Sequence, residues 1–386
     1  MKKRIITFFL IMLAVFPLFA NGEKEKKADS SDLKIAIVCS SAGQNDNGYN
    51  QSAVEGLKSF SEKNSIDYKV VEPSNGVPAA LEALADDGYN LIFSLEYDFE
   101  ALIKGVGGSK AIADMYPDTT FVIFNDNPNV DGSGNVLHNN VISVLFDVHE
   151  GSFLAGVLSV EVIENQAKLF GSDYNLTPAA DGGRTVGFIG GTNSNGITVF
   201  SNGYIAGVNY QAQKYNQVYD YYSKYDAGFG DPATGSTVAG TFFSKGANVV
   251  YGCAGVVGDG IDAKAKEVKK FAIEVDANKD DKQPGYILTS VLKNTNVPVI
   301  KISQAALDGT INSMDKLQNY SLASGAAGIT DLAAVSSMVQ DQEIWKSVLN
   351  EIDDAKAKIS SGEIIVTNAQ GGDIFVAADY PNVNIK

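Results

Sequence analysis

The sequence predicts an α/β protein of two similar lobes, and three observations lead there. Strand-length apolar runs alternate with helix-length runs from about Leu33 onward, the pattern of parallel sheets with crossover helices. A strand, loop and helix at Ile35 to Leu57 (IAIVCSSAGQNDNGYNQSAVEGL) recurs 151 residues on as VGFIGGTNSNGITVFSNGYIAGV, so that Tyr49 falls on Phe200 and Gly56 on Gly207. A second pair, YNLIFSLEYDFEA from Tyr89 and ANVVYGCAGVVGDGI from Ala247, matches at a shift of 158, each after a helix ending in glycine (Gly88, Gly246). In open α/β sheets ligands bind beyond the carboxyl ends of the strands, against helix N-termini, so the loops of both lobes should face one cleft. That makes Asp46, Tyr49 and Asn50, in the first such loop, candidates for ligand contact.

Taken in order, residues 1–20 have a basic start (Lys2, Lys3, Arg4), an apolar run from Ile5 to Phe16 and a cleavage-like Leu18-Phe19-Ala20. This is expected to be an export signal, too short to be a membrane span. No cysteine follows the run, so a lipid anchor is not supported, and the protein is expected in the periplasm or associated with the cell envelope. Residues 21–32 are polar and aperiodic, a flexible leader. Lobe one is expected over 33–146 plus 277–320, and lobe two over 147–276 plus 321–386. Pro78 opens a helix containing Leu81 and Leu84; strands follow at Leu91 to Leu95, Thr120 to Asn125 and Val141 to Phe146. The helix EGSFLAGVLSVEVIEN carries Gly151, Ala155 and Gly156 along one side, where small residues permit close packing. The chain is expected to cross between lobes near Asp147, near Asp276 and near Ser321. Three crossings make a hinge.

Composition narrows the function. With 386 residues and 45% hydrophobic content the chain can fill two cores, and a net charge of −16 argues against nucleic acid or anionic lipid as partner. Cys39 and Cys253 fall in strands of different lobes and read as buried apolar residues; His138 and His149 lack partners at metal-ligand spacing. Gly255, Gly258 and Gly260 in AGVVGDGIDAKA do not have dinucleotide spacing, and Asp259 reads better as a helix cap beside the cleft. DANKDD, from Asp276, starts like a calcium loop but has Asp281 at position six and Ile287 at position twelve, so no metal is expected. Asp276 reads instead as a polar ligand contact. Asp231 and Pro232 cap a helix. Phe229-Gly230 before them is open to two readings, a stacking platform or a core residue, and Lys293 on spacing alone is a surface lysine. No GxSxG, HExxH or cysteine–histidine pair appears, so no catalytic residue, cofactor or enzymatic activity is expected.

The segments NDNGYNQSAVEGL, EGSFLAGVL, VGFIGG, FSNGYIAGV, GFGDPATG, CAGVVGDG, IEVD and LTSVLK, in this order, resemble the basic membrane protein family of ABC-transporter substrate-binding proteins, some of which are purine nucleoside receptors. The resemblance implies a type I periplasmic binding protein fold, two Rossmann-like lobes joined by a three-crossing hinge, and a monomer that hands a purine nucleoside to a membrane permease. It implies that Tyr49 and Phe229, beside Gly230, sandwich the base, that Asp46, Asn50 and Asn125 or Asp126 meet its polar edges, and that Asp259, Asp276 and Lys293 hold the ribose hydroxyls. Tyr49 stands where the family usually has phenylalanine, and Asn125 where it often has aspartate. A same-fold receptor for a sugar or signalling molecule is the alternative, and a Rossmann-type enzyme is further off.

Overall fold

The computed structural model describes residues 32–386, so the export signal expected at 1–20 and nearly all of the leader lie outside the described residues. The first sheet is laid down by β1 (Lys34–Val38), α1 (Tyr49–Asn64), β2 (Asp67–Val71), α2 (Val77–Asp86), β3 (Leu91–Ser94), the short α3 (Glu100–Ile103) and α4 (Ile112–Met115), β4 (Thr120–Phe124) and β5 (Val141–Phe146). The chain then passes into α5 (Val148–Leu169), β6 (Thr185–Gly190), α6 (Asn195–Lys214), β7 (Tyr219–Lys224), α7 (Pro232–Ser244), β8 (Val249–Cys253), α8 (Val257–Val268), β9 (Phe271–Asp276) and β10 (Ile287–Lys293). It returns for α9 (Asn296–Leu307) and β11 (Leu317–Tyr320), and ends with β12 (Ala327–Ile329), α10 (Ala333–Ser336), α11 (Gln342–Ser360) and β13 (Val383–Ile385).

Two sheets result, ordered β11-β5-β4-β3-β1-β2 and β12-β10-β9-β8-β6-β7-β13. Every pairing is parallel except that of β12 with β10. Set side by side, β2-β1-β3-β4-β5 and β7-β6-β8-β9-β10 are the same doubly wound order, which explains why the two halves of the sequence echo each other. The central strands are buried on both faces, so they read as continuous apolar runs: all five residues of β8 and all six of β6 are buried.

The repeated glycines have a packing role in each half. A Cβ on Gly56 would lie 2.7 Å from Cβ of Asn296, where α1 meets α9, and one on Gly207 would lie 2.0 Å from the carbonyl oxygen of Phe153, where α6 meets α5. Gly156 makes the reciprocal approach from α5, with a Cβ position 2.5 Å from the Tyr204 carbonyl oxygen.

One boundary differs from the sequence reading. The segment 277–293 was expected to leave for lobe one after Asp276, but β10 pairs with β9 in the second sheet, Val291 opposite Val275 and Leu292 opposite Asp276. The acidic turn after Asp276 folds back onto the sheet: Asp280 accepts hydrogen bonds from Ser290 Oγ (2.7 Å) and Thr330 Oγ1 (2.6 Å), and Lys279 reaches Glu274 (2.9 Å). A link between parallel strands that holds only a single 3-10 turn, Asp280–Lys282, leaves no periodic signal, so the alternation rule misplaced it. The crossings fall between β5 and α5, between β10 and α9, and between β11 and β12, so only the second is displaced from its expected place near Asp276.

Candidate functional site

In a doubly wound sheet the crevice opens where the strand order reverses, here between β1 and β3 and between β6 and β8. The loops leaving these strands carry Tyr49, Tyr97, Gly191 and Gly255. Tyr49 begins α1, its carbonyl oxygen accepting from Thr295 Oγ1 (2.8 Å) at the second crossing. Its hydroxyl donates to the Leu95 carbonyl oxygen (3.1 Å) and accepts from Asn125 Nδ2 (2.7 Å). Asn125 follows β4 in the left-handed region, with φ of 70°, and is buried; its Oδ1 has no partner. With its amide nitrogen on the tyrosine, Asn125 offers an acceptor to whatever enters.

Asp276 and Lys293 end neighbouring strands of the second sheet. Lys293 is 7% exposed, and its ammonium lies over the rings of Tyr49 (5.0 Å), Phe146 (5.4 Å) and Phe200 (5.9 Å). Burial lowers its pKa, partly offset by Asp276, while burial raises that of Asp276, partly offset by Lys293. Among the described residues no hydrogen bond or contact ion pair reaches either group. Asp276 is held at φ of 73°, and its Cβ lies 3.4 Å from where a Cβ on Gly48 would be, so the acid closes directly against the first loop of lobe one.

Phe229 is 45% exposed and belongs to no core cluster, which removes the core reading. Its ring lies on Gly191, where a Cβ would come within 2.3 Å of it, and its carbonyl oxygen accepts from Val256 N (2.9 Å) beside Gly255. One aromatic face is thus held against backbone at the switch point, with Gly230 exposed next to it.

Other expected contacts are turned to different tasks. Asp46 accepts from the backbone N–H of Gly48 (3.0 Å), Asn50 (2.9 Å) and Gln51 (3.1 Å), so its carboxylate caps α1. Asn50 is fully buried and ties Ser40 N (2.9 Å) to Asp46. Asp126 is exposed and accepts from Asn127 N (2.8 Å). Asp259 is not a cap: α8 begins at Val257, and Asp259 in its first turn pairs with Lys282 (2.7 Å). Carboxylate oxygens of Asp259, Asp262 and Glu274 lie within 4.8 Å of one another, a spacing that could suit a cation. Lys279 and Lys282 already supply the countercharge, and burial together with Glu274 pushes Asp262 up to about 10, so it stays protonated at neutral pH.

Tyr97, Phe146 and Phe200 were not among the expected contacts. Tyr97 is 54% exposed overall, yet its hydroxyl reaches to 3.8 Å from a Cβ position on Gly196, at the N-terminus of α6 in the other lobe. Its signal was present, an aromatic in the loop after a parallel strand, as for Tyr49. Phe146 carried none, because a strand-ending phenylalanine looks like any core residue.

Residues 33–370 match the Bmp family, described as ABC transporter substrate-binding protein PnrA-like. The ABC transporter nucleoside-binding protein BmpA of Lactococcus lactis subsp. cremoris (strain MG1363) is 28% identical, covering 94% of this chain and 100% of that protein. Basic membrane protein A of Borreliella afzelii is 27% identical over 88% of this chain and 92% of its own. Among solved structures, an ABC transporter system solute-binding protein from Aeropyrum pernix K1 superposes with a TM-score of 0.66 at 22% identity, covering 87% of this chain and 93% of its own, a likeness of fold. The shared architecture is the type I binding-protein fold. No helix among the described residues is long and apolar enough to cross a membrane. The chain belongs to the Bmp family of PnrA-like ABC transporter substrate-binding proteins.

Proposed function

We propose that the protein captures a nucleoside, a purine nucleoside foremost, between its lobes outside the cytoplasmic membrane and delivers it to an ABC permease. The observation that carries this reading is the pair Asp276 and Lys293, an acceptor-only and a donor-only group facing the cleft, each without a hydrogen-bond partner. A vicinal diol satisfies both at once, since each hydroxyl can donate to the carboxylate and accept from the ammonium. The two charges cancel, which favours a neutral ligand over a phosphorylated one. Phe229 offers a planar apolar face for a base, and the unpaired Oδ1 of Asn125 offers an acceptor for a base N–H. The Lactococcus relative is named for nucleoside binding, which supports the same class of ligand.

Calorimetric titration with inosine, guanosine, adenosine, ribose, arabinose, glucose and NAD tests the reading. Nucleosides bind and free sugars do not, because a sugar alone leaves Phe229 and Asn125 unused. Binding of a hexose or pentose with no response to any nucleoside overturns it.

A further inference from the structure

After α11 the chain runs back as a strap, residues 361–382, before β13 joins the edge of the second sheet beside β7. The strap is braced within itself. Asn368 caps a single turn, accepting from Gly371 N (3.0 Å), while its own N–H donates to Asp373 (2.8 Å). Thr367 bonds the Tyr380 hydroxyl (2.7 Å), and the rings of Phe375 and Tyr380 stack 5.0 Å apart, 6° from parallel. Gln370 stands on that turn. Its Nε2 donates to the backbone carbonyl oxygen of Asn125 (3.2 Å), in the other lobe. Among the described residues this is the hydrogen bond that spans the cleft away from the three crossings. The same nitrogen lies 3.8 Å from a Cβ position on Gly196, as does the Tyr97 hydroxyl, so strap, lobe one and the N-terminus of α6 converge at one point.

We propose that Gln370 is a latch: a strap residue that holds lobe one against lobe two across the mouth of the cleft and fixes the peptide of Asn125, setting how long a ligand stays. Asn125 is a suitable catch. Its left-handed backbone turns its carbonyl away from the β4 ladder, and its side chain is held by Tyr49 from within lobe one. A neutral amide–carbonyl bond is strong enough to slow opening and weak enough to release within a transport cycle. The inference rests on the cleft being the ligand site.

The test uses Gln370→Ala and Gln370→Glu, the second keeping length but replacing the donor with a carboxylate that a carbonyl repels. Stopped-flow dissociation of a bound nucleoside should be roughly three- to tenfold faster in the alanine variant and faster still in the glutamate variant. Association should change little, and so should the ligand-free melting temperature, since Gln370 is only half-buried. A readout independent of ligand identity comes from spin labels on Glu100→Cys and Thr237→Cys, both exposed and one in each lobe; the native Cys39 and Cys253 are buried. In ligand-free protein the interlobe distance distribution should shift outward when Gln370 is replaced. If wild-type protein binds no nucleoside, the functional reading fails while the distance measurement still decides the latch. Unchanged distances in both variants overturn the latch even where nucleosides bind normally.

Discussion

Lys293→Met separates a ligand-binding cation from a structural one. In the ligand-free protein this ammonium is nearly out of water with no acceptor, a situation that costs several kcal/mol for an isolated ion. Three aromatic faces at 5.0 to 5.9 Å return part of that, about 0.5 to 2 kcal/mol each, and the nearby Asp276 returns more. Methionine fills nearly the same space and removes the cost of burying the ammonium, but it leaves Asp276 without its countercharge, so the two effects oppose and stability should change by no more than about 2 kcal/mol in either direction. Binding should be affected more. Losing charged hydrogen bonds to ligand hydroxyls costs about 1.5 to 3 kcal/mol, roughly ten- to 150-fold in Kd. Removing Lys293 also takes away the cation that restrains the raised pKa of Asp276, so the residual affinity should fall off at higher pH than in wild type as that carboxylate protonates. Melting curves without ligand beside calorimetric titrations across pH are the measurements. A variant that melts several degrees lower and binds like wild type would refute the reasoning and make Lys293 a structural residue.

Phe229→Ala should weaken nucleoside binding by about 1 to 3 kcal/mol with little change in melting temperature, because the ring is 45% exposed; a large melting shift with intact affinity would contradict the stacking role. Tyr49→Phe should not be silent, since it leaves the Leu95 carbonyl and the Asn125 amide unpaired, and about 1 to 3 kcal/mol of stability should be lost by chemical denaturation. His149 is buried with its pKa lowered to about 4 by burial against an unfolded value near 6.5, so the folded state binds fewer protons between those values. Its contribution is complete above about pH 6.5 and is lost progressively as pH falls to about 4, on the order of 3 kcal/mol, and His149→Phe should flatten that part of the stability profile measured by urea titration.

The repeat was legible because duplicated doubly wound halves repeat their backbone demands. A strand buried on both faces needs an apolar run, and a helix pressed against another needs a glycine at the same place, as at Gly56 and Gly207. Tyr49 was a candidate for a related reason, since its loop follows a strand at the expected reversal in sheet order, whereas Phe229 stayed open to two readings until the family resemblance favoured stacking. Charged residues were less so. Asp46 and Asp259 have the composition of ligand contacts, but whether a carboxylate faces a helix N-terminus, a lysine or the cleft depends on contacts that spacing does not encode. Lys293 shows the reverse: on spacing it resembled a solvated surface residue, and only the family pattern pointed inward, where β10, assigned to the wrong lobe, places it. Tyr97 follows the same loop rule as Tyr49, in the loop after β3.

The three crossings leave the ends of β5, β10 and β11, whose last residues are Phe146, Lys293 and Tyr320. These touch one another, the Lys293 ammonium over Phe146 and the rings of Phe146 and Tyr320 5.9 Å apart. The pivot of the hinge and the proposed ligand contact Lys293 are therefore the same atoms. A point near a rotation axis travels little, whereas Phe229, over the ends of β6 and β8, lies two to three strand spacings from β10, about 10 to 14 Å by sheet geometry. If the lobes part about this point, a solute bound as proposed above is released at Phe229 first, base before sugar, and loaded in the opposite order, while Lys293 still holds its other end.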